Sequence, residues 1–155
     1  MDNTIEWRLK KFDDLAPIEL YAILRLRNEV FVVEQNCVFQ DADDKDQGSY
    51  HYMGFIGNDL AAYTRLVPPG YIYNEASIGR VVSSPAYRRT GIGKELMMNS
   101  IDECYRLFGK GPIKIGAQLY LKKFYASFGF RQVSDIYLED GIEHIYMLLE
   151  TSADL

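Results

Sequence analysis

Arg88-Arg89-Thr90-Gly91-Ile92-Gly93-Lys94 joins a strand-like run, Ile78-Gly79-Arg80-Val81-Val82-Ser83, to a long amphipathic stretch. Gly91 and Gly93 carry no Cβ, so the backbone can bend tightly there and approach a ligand. From about Gly91 to Phe108 the chain places Ile92, Leu96, Met97, Ser100, Ile101, Cys104 and Phe108 on one helical face. The first N–H groups of such a helix have no partner within it, and the macrodipole adds positive potential. Strand, glycine turn and helix N-terminus together predict an anion site suited to a pyrophosphate. Two commoner phosphate motifs are excluded by spacing. The P-loop requires Ser or Thr after Gly-Lys, whereas Gly93-Lys94 is followed by Glu95. The dinucleotide fingerprint requires a third glycine where Leu96 stands.

Working outward, Ile5 to Phe12 alternates as a first strand, and Pro17 opens a helix over Ile18 to about Val32, with Leu20, Ile23, Leu24, Arg27 and Phe31 at helical spacing. Gln35 to Tyr50 is polar and acidic and reads as a loop. His51–Gly57 and Leu60–Val67 form a hairpin about Gly57-Asn58-Asp59, and Ala76–Ser83 adds a third strand. After the long helix come a short strand over Ile113–Gln118, a helix over Tyr120–Phe128 closed by Gly129, and a hairpin of Arg131–Leu138 with Glu143–Leu149 around Asp140-Gly141. This order predicts one α/β domain over residues 1–155, a mixed sheet with helices on both faces.

Composition bounds the function. A chain of 155 residues, 48% apolar and 25% charged, is the size and character of one globular domain. No apolar run approaches the roughly 20 residues of a membrane span, and the start, Met1 to Glu6, lacks signal-peptide character. A cytoplasmic location without membrane partners is the expectation. The net charge of −5 argues against a nucleic-acid partner, which requires a basic face. It also makes the cluster Arg88, Arg89 and Lys94 more informative. Cys37 and Cys104 form no CxxC and read as free thiols, Cys37 with a site-lining option.

Arg88-x-x-Gly91-x-Gly93 resembles the Arg/Gln-x-x-Gly-x-Gly/Ala motif of the GCN5-related N-acetyltransferase (GNAT) superfamily. Downstream, Phe124-Tyr125-Ala126-Ser127-Phe128-Gly129-Phe130 resembles that family's Phe/Leu-Tyr-x-x-x-Gly-Phe. Gln118 stands where many members carry Asn. Leu26 to Cys37, Ile78-Gly79-Arg80-Val81, Gly116-Ala117-Gln118 and Asp140 to Ile145 are similar to the ElaA-like branch. The resemblance spans nearly the whole chain. It implies a six- or seven-stranded mixed sheet whose two central parallel strands splay apart to admit a pantetheine arm, with acetyl-CoA as co-substrate and a primary amine as acceptor.

The same resemblance assigns roles. Val81, Val82 and Ser83 would hydrogen-bond the pantetheine amides, and an N–H before Val82 would polarise the thioester carbonyl. Backbone N–H groups from Arg89 through Thr90, Gly91, Ile92 and Gly93 to Lys94 would hold the pyrophosphate, with charge from Arg88, Arg89 or Lys94. Tyr125 is the candidate general acid for the departing thiolate. Glu34 is a candidate base, a group binding a cationic acceptor, or a solvated carboxylate. Asp41, Asp43, Asp44 and Asp46 read as a solvated acidic loop; Lys45 and the absence of Glu at the twelfth position exclude a calcium loop. His51 and His144 read as hydrogen-bonded structural histidines, and no metal is expected. Two other readings are a longer-chain acyltransferase like the acyl-homoserine lactone synthases and a non-catalytic acyl-CoA-binding module. An exposed sheet edge makes a homodimer an expectation of the fold.

Overall fold

The computed structural model describes residues 4–150; Met1–Asn3 and residues 151–155, the two ends of the expected domain, lie outside the described residues. Four strands, β1 (Ile5–Lys11), β2 (Tyr50–Ile56), β3 (Asp59–Val67) and β4 (Ser77–Ser83), form an antiparallel sheet in that order. Gly57, at φ 60°, makes the β2–β3 turn where the left-handed region favours glycine. β3 is buried from Leu60 to Val67 because helices cover both faces of this sheet. On one face Met53, Phe55, Leu60, Tyr63 and Val82 meet Ile23, Leu26 and Val30. On the other, Tyr52, Ala62, Leu66 and Ile78 meet Ile92, Leu96 and Met97 of the long helix.

The second sheet is built around β8 (Ile142–Leu149), which pairs antiparallel with β5 (Ile113–Gln118), β6 (Arg131–Gln132) and β7 (Tyr137–Glu139). Asp140 and Gly141 at φ 52° and 78° turn β7 into β8, as a primed hairpin turn requires. The expected single strand over Arg131–Leu138 is broken: the Ser134 hydroxyl takes the Tyr146 N–H at 2.9 Å, in place of a ladder carbonyl. Eight strands therefore stand among the described residues, where six or seven were expected. The parallel pairing shrinks to one bridge, Ala76 with Ile113, closed by Lys114 N–H donating to Ala76 C=O at 2.9 Å. Beyond it β4 and β5 part.

The first helix, α1 (Pro17–Arg27), starts as expected at Pro17, and the Glu19 carboxylate reaches back to the Ala16 N–H at 2.8 Å. It does not continue as an α-helix to Val32. From Asn28 to Glu34 the turns widen to π geometry, with Gln35 N–H on Val30 C=O and Cys37 N–H on Val32 C=O. Leu24, placed by spacing on the apolar face, is 39% exposed, whereas Arg27 is fully buried. α2 spans Ile92–Phe108 with Gly91 at φ 82° before it. α3 is shorter than the expected Tyr120–Phe128: a 3₁₀ turn over Leu119–Leu121 leads into Lys122–Ala126.

Candidate active site

Tyr63 pairs with Val82 and Arg65 with Gly79, so Thr64 alone faces both Arg80 and Val81. This β-bulge, with Arg80 at φ 50°, bends β4 and takes amides out of the ladder. Opposite it β5 has already left, and a cleft of about 560 Å³ opens between the two strands. Val81, Val82, Ser83, Arg88 and Gly93 line one side; Gln118, Tyr120, Phe124 and Tyr125 line the other, and Glu34 closes the rim. The remaining expected residues shape the turn and do not line the cleft. Arg89 and Gly91 take φ 66° and 82°, the Thr90 hydroxyl donates to Tyr87 C=O at 2.7 Å, Ile92 is buried in the core, and Lys94 is exposed on the first turn of α2. A Cβ on Gly93 would meet nothing within 4 Å. The protein itself does not require glycine there, which fits a cradle kept open for a ligand at the helix N-terminus.

Tyr125 is buried at the cleft floor, its ring edge-on to Phe124 and Phe130 at 5.2 and 6.1 Å. Burial, with Tyr120 nearby, pushes its phenol well above the usual value, so it is a proton-bearing donor at neutral pH. Glu34 stands elsewhere. Both its oxygens accept from Arg88, at 2.7 and 2.8 Å, and the guanidinium holds the carboxyl below the usual range. The next residue, Gln35, reaches the other side of the cleft, its amide 3.3 Å from Gln118 Oε1. The widened last turns of the first helix thus put two adjacent side chains on opposite rims.

Of the four loop aspartates only Asp44 is exposed as expected; the other three are ion-paired. Arg27 donates to Asp41 at 2.6 Å and Asp46 at 2.7 Å, Arg65 to Asp43 at 2.7 Å and Asp46 at 3.0 Å, and Arg80 pairs with Asp41 at 2.9 Å. Three aspartates from residues 41–46 are neutralised by three arginines from α1, β3 and β4, partners that lie 14 to 39 positions away. Spacing along the loop cannot show them. The folded loop brings Phe39, Gln40 and Asp41 to the cleft wall. His51 behaves as expected, fully buried and bonded to the Tyr63 hydroxyl at 2.6 Å and Asp46 C=O at 2.9 Å.

Residues that the sequence reading did not assign to the site also line the cleft: His144, Glu139, Arg80 and Gly116. His144 bonds through Nδ1 to Ile142 C=O at 2.8 Å, and its Nε2 lies 3.7 Å from Glu139. Its strand partner is Gln118, so the register of β5 on β8 carried a signal: the residue opposite a suspected site amide shares its face. Cys37 is half-buried on the same wall, its thiol 3.4 Å from Asp140 C=O.

A bulged strand, a parting neighbour and a glycine turn at a helix N-terminus frame one cleft. The model of the acetyltransferase (GNAT) domain matches residues 47–151, and the chain belongs to that family. Within it the chain sides with the ElaA-like branch. It is 40% identical to protein ElaA of Escherichia coli over 148 residues, 94% of this chain and 97% of that protein. The crystal structure of E. coli ElaA superposes with a TM-score of 0.89 over 95% of this chain and 100% of that one. An acyl-CoA N-acyltransferase from Pseudomonas aeruginosa, 41% identical, superposes at 0.90 over 94% of this chain and 99% of that one. A GNAT family acetyltransferase from Elizabethkingia anophelis, solved with acetyl-CoA bound, shares the fold at 16% identity and TM-score 0.64, covering 97% and 100% of the two chains.

Proposed function

We propose that this protein transfers the acetyl group of acetyl-CoA to the nitrogen of a primary amine, on a small molecule or a peptide, by direct attack on the thioester. The observation that carries the reading is the bulge at Arg80-Val81, which frees strand amides at the mouth of a cleft floored by Tyr125. A thioester lying along Val81, Val82 and Ser83 has its carbonyl within reach of those amides, which act as preorganised donors to the developing oxyanion. The opened N-terminus of α2, with the space over Gly93, takes the pyrophosphate. Tyr125 donates a hydrogen bond to the leaving sulfur. Arg88, held by both oxygens of Glu34 beside the Ser83 carbonyl, adds positive charge for the phosphates, and Glu34 is assigned to positioning it.

The test is thiol release from acetyl-CoA with n-butylamine, lysine, spermidine and a peptide bearing a free N-terminus, alongside hexanoyl-CoA as donor. Acetyl transfer to at least one amine, faster than hexanoyl transfer, supports the reading. Preference for hexanoyl would assign a longer-chain acyltransferase. Tight acetyl-CoA binding without thiol release would assign a binding module.

A further inference from the structure

We propose that Glu139 and His144 form the subsite for the acceptor nitrogen, with His144 Nε2 taking the proton that a primary ammonium must lose before it attacks. The inference rests on the amine-acetylation reading and adds to it the acceptor subsite and the base. His144 Nδ1 lies 2.8 Å from the carbonyl oxygen of Ile142, and a carbonyl can only accept. The Nδ1 position therefore carries the proton, and Nε2 of the neutral ring is left as an acceptor. Glu139 Oε2 lies 3.7 Å from that nitrogen, too far for a direct hydrogen bond. Two acceptors on cleft-lining residues thus lie 3.7 Å apart. A nitrogen bearing at least two N–H groups can donate to both, which selects primary amines over tertiary or quaternary ones.

Charge points the same way. Of the four cleft carboxylates, Glu34 and Asp41 are held by Arg88 and by Arg27 with Arg80; Glu139 and its neighbour Asp140 in the β7–β8 turn have no arginine or lysine pair among the described residues, and Glu139 is the one beside His144. The ring is fixed by Tyr137, stacked on it at 5.8 Å from β7. The neighbouring strand β5 presents the neutral amide of Gln118, and the facing loop presents Cys37 and the neutralised Asp41–Arg80 pair.

The ammonium gives one proton to His144 Nε2, and the freed lone pair forms the N–C bond to the thioester carbon. The C–S bond breaks with its electron pair on sulfur, where the Tyr125 hydroxyl donates a hydrogen bond. The second nitrogen proton passes to the thiolate, and His144 releases its proton to water. The products are amide, free CoA thiol and one proton.

Two histidines in the chain make the imidazole nitrogens readable by ¹⁵N NMR. The Nδ1–H tautomer is expected for neutral His144, with n-butylammonium shifting His144 and not His51, an effect lost in Glu139→Gln. An Nε2–H tautomer, or no shift at millimolar amine, overturns the proposal. In kinetics with the fastest amine of the panel, His144→Gln is expected to lower kcat about 10²–10⁴-fold, the range of a positioned base, and to abolish the acid limb of the pH profile. Acetyl-CoA affinity and Tm should stay unchanged. Glu139→Gln should raise the KM for amine more than it lowers kcat. Full activity in His144→Gln sinks this inference and leaves the acetylation reading standing. Failure of the wild-type protein on every amine sinks that reading, and the subsite then stands or falls on the NMR result.

Discussion

A phenol raised by burial gives up its proton only to a stronger base, and a free thiolate, with a conjugate acid near 8.5, is a weaker one. In this cleft Tyr125 therefore lowers the barrier chiefly by donating a hydrogen bond as charge builds on sulfur. Tyr125→Phe removes that donor and keeps the ring against Phe124 and Phe130, so kcat should fall more than tenfold while acetyl-CoA affinity holds; steady-state kinetics beside calorimetric titration checks both. Gly93 separates fold from function in the opposite sense. A methyl there meets no protein atom, and alanine favours a helix over glycine by roughly 1 kcal/mol. Gly93→Ala should leave Tm equal or higher and weaken acetyl-CoA binding at least tenfold, because the added Cβ stands in the space assigned to the pyrophosphate. Unchanged affinity would move the phosphates away from this helix terminus.

Elements whose reason for existing is local were legible before the structure. β5 and α2 match their expected spans almost residue for residue, since one alternates in two and the other repeats in 3.6 between glycine stops. The bulge in β4 was not legible, because an extra residue shows only against the partner strand; nor was the π turn, which trades one hydrogen-bond register for another within an unbroken apolar pattern. The acidic loop failed for a related reason: aspartates in a polar run look solvated until their arginines are located in space. Its charge pairs give a sharp expectation. Asp46 Oδ1 serves both Arg27 and Arg65, and removing one partner of a buried pair costs about 3–5 kcal/mol. Asp46→Ala should lose about that much in urea denaturation. Exposed Asp44→Asn, which tolerates the left-handed φ of 62°, should stay within about 0.5 kcal/mol. Equal small effects would return the loop to a solvated one.

Across the whole molecule the two sheets touch through one parallel bridge, yet they share a core: Leu66 and Ile78 from the first and Ile115, Ile145 and Met147 from the second meet through Leu96 and Met97. A shared core makes local charge chemistry a global property, so fluorescence of the single tryptophan, Trp7 on β1, and far-UV circular dichroism should report one transition. The pH dependence of that transition follows from groups held below their ordinary values. Burial pushes His51 down, and the unfolded chain, with histidine near 6.5, therefore binds that proton first. Stability should begin to fall as pH drops through about 6.5. Arg65, with Arg80 behind it, holds Asp43 at about 2, and Asp46 is lowered by Arg27 and Arg65 despite their burial. Unfolded aspartates protonate near 3.9, so the stability these pairs supply is complete above about pH 5 and lost as pH falls toward 2. At roughly 1.4 kcal/mol per pH unit, Asp43 alone accounts for about 2 kcal/mol of that loss. The expected profile of urea midpoint against pH is a plateau above 7, a first decline below 6.5 and a steeper one below 5. Asp43→Asn should start lower at pH 7 and flatten the steeper limb; an unchanged slope below pH 4 would show that the arginine-held carboxylates do not govern the acid limit of this fold.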